Sequence, residues 1–158
     1  MGNKPNVEYE NDYYAADDDY ALIPDGEYYA ECTEYKLLNY DGKKKKLYLC
    51  FQIFMDGDAG LKNVYMSFNM PLDNRIGTRS KYYKAWRMAH GRPPTKNAKL
   101  SPRIFKNKFY KIKTRTVKQF ENGEARPDDK YYSVVDEIML VIKKPDQNTP
   151  TTHFEYEY

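Results

Sequence analysis

The sequence predicts an all-β domain with one helix, five strands in the order β-β-β-α-β-β, and three observations carry that expectation. Apolar residues alternate with polar ones through five segments, a period of two that suits strands with one buried face. A single stretch has helical spacing between a serine and a glycine, and Gly- or Pro-containing turns divide the segments. At 158 residues, one domain with tails is the expected organisation.

The first strand is expected after the turn Ile23-Pro24-Asp25-Gly26, from Glu27 to Leu38, with Tyr28, Ala30 and Cys32 on one face. Asp41-Gly42 marks a tight hairpin. If those two residues form the whole loop, facing positions sum to 83, so that Cys32 meets Phe51 and Ala30 meets Ile53. Leu47, Leu49, Phe51 and Ile53 then point inward. Tyr29, Tyr35, Tyr48 and Phe54 point outward, with Tyr29 opposite Phe54 and Tyr35 opposite Tyr48. This register would bury Glu34 and Lys36, a conflict that a bend or bulge nearby would relieve.

A loop around Asp56-Gly57-Asp58-Ala59-Gly60 precedes a third strand, Asn63 to Met70, with Val64, Met66, Phe68 and Met70 inward and Tyr65 outward. A helix is expected from Lys81 to His90, capped by Ser80 and ended by Gly91, with Tyr82, Tyr83, Trp86 and Ala89 on its apolar side. A fourth strand, Phe109 to Lys118, sets Tyr110, Ile112, Thr114 and Thr116 against Lys111, Lys113 and Arg115. The β-branched run Tyr131 to Ile142 is the fifth. This order is that of an OB-fold barrel, whose second and third strands and long loops commonly hold oligonucleotides.

Residues 1–21 are acidic, tyrosine-bearing and poor in aliphatic residues, and residues 143–158 carry prolines and polar spacers; both are expected to be disordered tails around a domain spanning 22–142. An acidic arm with rings has the charge and planarity of nucleic acid, so it is a candidate competitor for a basic groove. No stretch reaches the roughly 20 apolar residues that cross a bilayer, and the start lacks a signal-peptide pattern, so a soluble cytoplasmic protein is expected. Cys32 and Cys50, with His90 and His153, are too few for a disulfide framework or a zinc site.

The formal charge of +3 conceals a strong segregation. Residues 1–34 carry net −9, residues 35–119 net +17 and residues 120–158 net −5. A central body this basic attracts a polyanion. Two constellations give that attraction a chemistry. The outward rings Tyr29, Tyr35, Tyr48, Phe54 and Tyr65 are candidates to stack bases. Lys43, Lys44, Lys45 and Lys46 at the hairpin, Arg75 and Arg79 before the helix, and Lys111, Lys113 and Arg115 on the fourth strand are candidates to meet phosphates. More cations, among them Lys81, Lys84, Arg87 and Arg92, lie on and beside the helix. The bland alternatives are rings that cover a small core and lysines that merely keep the surface solvated. No Gly-rich phosphate cradle, nucleophile elbow or metal-ligand spacing occurs, so no catalytic residue, metal or cofactor is expected.

Three segments, Ile23-Pro24-Asp25-Gly26-Glu27-Tyr28-Tyr29-Ala30, Ser80-Lys81-Tyr82-Tyr83-Lys84-Ala85-Trp86 and Tyr132-Ser133-Val134-Val135-Asp136, give the chain a resemblance to OB-fold single-stranded DNA-binding proteins of phages and mobile elements. The likeness spans about residues 22–142 and is architectural, so it transfers no individual binding residue. It implies protection of single strands, without sequence preference, during replication or recombination of phage or mobile DNA. The tip Phe154-Glu155-Tyr156-Glu157-Tyr158 is similar to the acidic, hydrophobic-ended tails by which bacterial single-strand binders recruit replication and repair proteins, which makes Phe154, Tyr156 and Tyr158 candidate partner contacts. Two other readings share the same composition: an RNA-binding protein, and an adaptor or inhibitor that uses the barrel as a scaffold.

Overall fold

The computed structural model describes residues 21–55 and 60–142. In chain order the elements are β1 (Gly26–Tyr40), β2 (Lys44–Met55), β3 (Gly60–Met70), α1 (Lys81–His90), β4 (Lys108–Val117) and β5 (Tyr132–Ile142), with short 3-10 turns at Pro102–Phe105 and Asp128–Lys130. The expected tails and the partner candidates Phe154, Tyr156 and Tyr158 lie outside the described residues, except that Ala21 packs against the core. Among the described residues no helix is long and apolar enough to cross a membrane.

The strands close into a barrel in the order β1-β2-β3-β5-β4, an OB-like arrangement with the helix between the third and fourth strands. Closure is antiparallel where β1 meets β4, from Gly26 opposite Thr114 to Cys32 opposite Lys108. It is parallel where β3 meets β5, at Tyr65 opposite Val134.

The register between β1 and β2 corrects one sequence expectation and resolves another. Three residues, not two, separate the strands: Tyr40 pairs with Lys44, and the Lys43 amide donates to the Tyr40 carbonyl (2.9 Å). Asp41 (φ 53°) and Gly42 (φ 72°) supply the positive φ values that the turn requires. Facing positions therefore sum to 84 near the turn. A bulge between Cys32 and Glu34 absorbs the extra residue, and beyond it the expected pairs Cys32–Phe51 and Ala30–Ile53 appear. Within the offset stretch Tyr35 faces Leu49 and packs on the core, so it is not an outward ring opposite Tyr48. Lys36 takes that place, and Glu34 stands opposite Cys50. The ladder ends at Ala30–Ile53, one rung short of the Tyr29–Phe54 pair.

Alternation then fills the barrel. Leu47, Leu49, Phe51 and Ile53 of β2, Val64, Met66 and Phe68 of β3, and Tyr110 and Ile112 of β4 are buried. Buried polar groups are matched: the Ser133 hydroxyl accepts from the Ile23 amide (2.9 Å) and donates to the Ile23 carbonyl (3.1 Å), and Thr114 Oγ1 accepts from the Gly26 amide (3.2 Å). With the Ser133 amide donating to the Ala21 carbonyl (2.8 Å), the Ser133 bonds stitch the lead-in Ala21–Ile23 to β5, while the Thr114 bond ties β1 to β4.

One end of the barrel is plugged by α1. Ser80 Oγ accepts from the Tyr83 amide (3.0 Å), and Gly91, at φ 92°, ends the helix by donating its amide to the Arg87 carbonyl (2.9 Å). Tyr82, Ala85, Trp86 and Ala89 face inward. Tyr82 meets Phe68 edge to face at 5.5 Å and Phe105 at 5.9 Å. The polar ends of these rings are satisfied, Tyr82 Oη donating to the Leu100 carbonyl (2.6 Å) and Trp86 Nε1 to the Ser101 carbonyl (3.0 Å).

Two predictions test this account. Deleting Thr33 removes the bulge but leaves Cys32 opposite Phe51 and Glu34 opposite Cys50 as consecutive rungs, so Glu34 and Lys36 stay outward; the expected outcome is a chain that keeps a cooperative thermal transition with a stability change of about 0.5 to 3 kcal/mol, and loss of the transition would show that Thr33 does more than take up the extra residue. The second concerns pH. Burial pushes the Cys32 thiol up to about 12, raises Cys50 above its ordinary value, and raises the Tyr82 and Tyr110 hydroxyls still further. Above pH about 9 the unfolded chain releases protons that the folded chain keeps, so stability is flat below that pH and falls above it by up to about 1.4 kcal/mol per pH unit for each such group. Urea midpoints measured from pH 7 to 10.5 check the decline.

Candidate nucleic-acid interface

On the outer side of the barrel the register aligns a row of residues across all five strands: Glu34, Cys50, Tyr65, Val134 and Arg115. The next row toward the β1–β2 turn holds Lys36, Tyr48 and Ser67, and the one beyond it Leu38, Lys46 and Asn69. Tyr48 and Tyr65 are thus diagonal neighbours on adjacent strands, both half-buried. The surface between them is nearly flat, with a dimple of only about 10 Å³ bounded by residues including Lys36, Tyr48, Cys50 and Tyr65. The Cys50 thiol lies beneath, raised in pKa by burial although it hydrogen-bonds with the Thr33 and Tyr65 side chains. A face with two half-buried rings and no deep hollow between them suits a planar partner better than an engulfed one.

Beside Tyr65 the face deepens into a cleft of about 220 Å³ between the start of α1 and the β4–β5 loop. Its walls include Ser67, Lys81, Arg115, Phe120, Arg126 and Tyr132. Lys81 Nζ donates to the Ser67 carbonyl (3.0 Å) and sits 5.2 Å from the Phe68 ring centre. Its pKa is lowered by burial first, then by the positive charges of Arg115 and Lys46, with Asp136 opposing. Lys46 and Arg115 therefore both act on Lys81, and the acids near them are Asp136, paired with Arg115 Nε at 2.9 Å, and Glu121, which lines the cleft.

The loop over this cleft is ordered by Arg126. Its guanidinium lies 4.5 Å from the Phe120 ring centre and 5.0 Å from that of Tyr132, and its Nε donates to the Gln119 carbonyl (3.0 Å). Backbone bonds from Phe120 to Glu124 and from Arg126 to Lys118 complete the loop (both 2.8 Å).

The sequence candidates divide on this geometry. Lys44, Lys46, Tyr48 and Tyr65 share the outer face by alternation, and Arg115 borders it. Lys45 has the opposite parity and reaches Asn74 Oδ1 (2.8 Å), Lys43 is exposed in the turn, and Arg75 and Arg79 are exposed in the β3–α1 connection. Phe54 is 78% exposed at the far end of β2, about 20 Å along the strand from Tyr48, opposite the exposed Leu61. Tyr29, Lys111 and Lys113 belong to another side of the barrel, where β1 meets β4: Lys111 faces Tyr29 and pairs with Glu27 at 3.2 Å, and Lys113 stands between Glu27 and Glu137. That side is charge-compensated. The cleft residues Phe120, Arg126 and Tyr132 escaped the sequence reading because they sit in or beside an acidic loop, and only the pairing of β3 with β5 brings that loop to Tyr65. Among the described residues no group of three or more His, Cys, Asp or Glu is placed to hold a metal ion.

Comparison with protein families, with curated proteins and with solved structures finds no match to this chain. Replacing Arg126 with Ala removes two ring contacts and two backbone-directed bonds; the amides of Phe120, Gly123 and Arg126 are expected to exchange with deuterium at least about five-fold faster, a loss near 1 kcal/mol, while those of β2 stay unchanged. Unaltered exchange in the loop would show that Arg126 does not hold it.

Proposed function

We propose that this chain binds single-stranded DNA without sequence preference, laying the strand across β2 and β3 and into the cleft under the β4–β5 loop, as an OB-fold strand-protecting protein does. The observation that carries the reading is the meeting of rings and cations on one face: Tyr48 and Tyr65 beside Lys46, Lys81 and Arg115, with Phe120 and Tyr132 across the cleft. Flat rings accept any base, and each stack contributes roughly 1 to 3 kcal/mol whatever the sequence. The cations meet phosphates and release condensed counterions, so affinity falls with rising salt. Use of the face in replication or recombination of phage or mobile DNA follows from the resemblance in the sequence and is part of the same proposal.

The test is equilibrium binding of a mixed-sequence single strand and of an abasic strand with the same phosphates. Tyr48→Leu with Tyr65→Leu is expected to weaken the normal strand by roughly 2 to 6 kcal/mol in total and to leave the abasic strand unaffected. Lys46→Gln with Arg115→Gln should make the plot of log affinity against log salt shallower by about 0.7 per contact, whereas Lys111→Gln with Lys113→Gln should leave its slope unchanged. Equal affinity of the native protein for the two strands would refute stacking.

A further inference from the structure

The cap that plugs the barrel differs from the other described surfaces in carrying basic residues and no acidic ones. No Asp or Glu occurs between Asp73 and Glu121, and this interval contains all of α1 and the loop that follows it. Lys84, Arg87, Arg92, Lys96, Arg103 and Lys106 are all exposed, and among the described residues none of them has an acidic partner. Such an uncompensated patch repels itself, and a polyanion relieves that repulsion. Most rings of the cap are engaged elsewhere, Tyr82, Trp86 and Phe105 being buried against the barrel, while Tyr83 is half-buried. The cap therefore offers charge with little ring surface, the reverse of the balance on β2 and β3.

We infer that this cap is a docking surface for the phosphate backbone of double-stranded DNA, so that the protein sits at junctions between single strand and duplex; the junction part of this inference rests on the proposed single-strand site. With one half-buried ring, Tyr83, among six exposed cations, the patch gains less from unstacked bases than from phosphate density. Duplex presents one charge per about 1.7 Å of axis, twice the density of one of its strands. Along the ten residues of α1, about 15 Å, that is roughly nine phosphate charges.

The two surfaces meet at one residue. Lys81 opens the helix and also lines the cleft, bonded to the Ser67 carbonyl and in the field of Arg115. From it Lys84 and Arg87 follow at three-residue steps along the helix, about 4.5 Å apart in rise, and lead away from the stacking face onto the cap. A strand leaving the cleft past Lys81 reaches the cap where it can already be paired.

The experiment compares a single strand, a blunt duplex of equal length and a duplex with a single-stranded overhang, for the native protein, a cap variant (Lys84→Gln, Arg87→Gln, Arg103→Gln, Lys106→Gln) and the face variant (Tyr48→Leu, Tyr65→Leu). The native protein is expected to bind the overhang substrate at least about ten-fold more tightly than either component. The cap variant should lose that preference, with the salt slope for duplex shallower by about 3 to 4 and single-strand affinity retained. A native protein that prefers the single strand as strongly as the junction overturns the inference without any variant, and so does a cap variant that weakens single strand and duplex alike. A face variant that keeps full single-strand affinity refutes the stacking reading instead, and leaves the duplex dock to be judged by the blunt duplex alone.

Discussion

Every outward and inward assignment in this barrel depends on the pairing of β1 with β2, because a slip of one position would exchange the two faces of a strand. The turn Asp41-Gly42-Lys43 contributes one residue more than a two-residue hairpin loop, and the bulge at Thr33 takes that residue up. Between these two irregularities the strand runs offset by one. Glu34 and Lys36 reach the surface there and Tyr35 goes to the core, so the bulge both spares the interior two charges and decides which tyrosines remain outside.

The abundance of tyrosine, 17 residues, has two physical uses in this fold. Tyr82 and Tyr110 are buried, each with its hydroxyl donated to a backbone carbonyl in or next to the segment that follows α1. They act as large apolar groups with one satisfied polar end. Tyr48, Tyr65 and Tyr132 instead remain half-buried along the outer surface and the cleft. A ring held in part by its neighbours loses less freedom when a planar partner covers it, so partial burial favours recognition as well as stability.

Positive charge is distributed by the same topology. On the β1–β4 side Glu27 and Glu137 answer Lys111 and Lys113 across the strands, and the field there is largely cancelled. Around the cleft Lys46, Lys81, Arg115 and Arg126 are met by Asp136 and Glu121, so positive charge is in excess there. On the cap the cations have no acidic partner among the described residues. These three basic surfaces thus differ in what they can attract, because attraction follows uncompensated charge.

The sequence by itself determined the strand order, the helix with its Ser80 and Gly91 caps, and the inward faces of β2, β3 and β4, since these rest on period and on local turn and cap chemistry that neighbouring residues carry among themselves. It also foretold that something must break the first strand near Glu34. It did not determine that Tyr35 turns inward, that Lys111 and Lys113 meet acids, or that Phe120, Arg126 and Tyr132 face Tyr65 and Lys81 across a cleft. Those outcomes required the closure of the barrel: the parallel contact of β3 with β5 and the antiparallel contact of β1 with β4 join residues about 70 to 90 positions apart, and no local pattern records which side chains such long-range pairings set opposite one another.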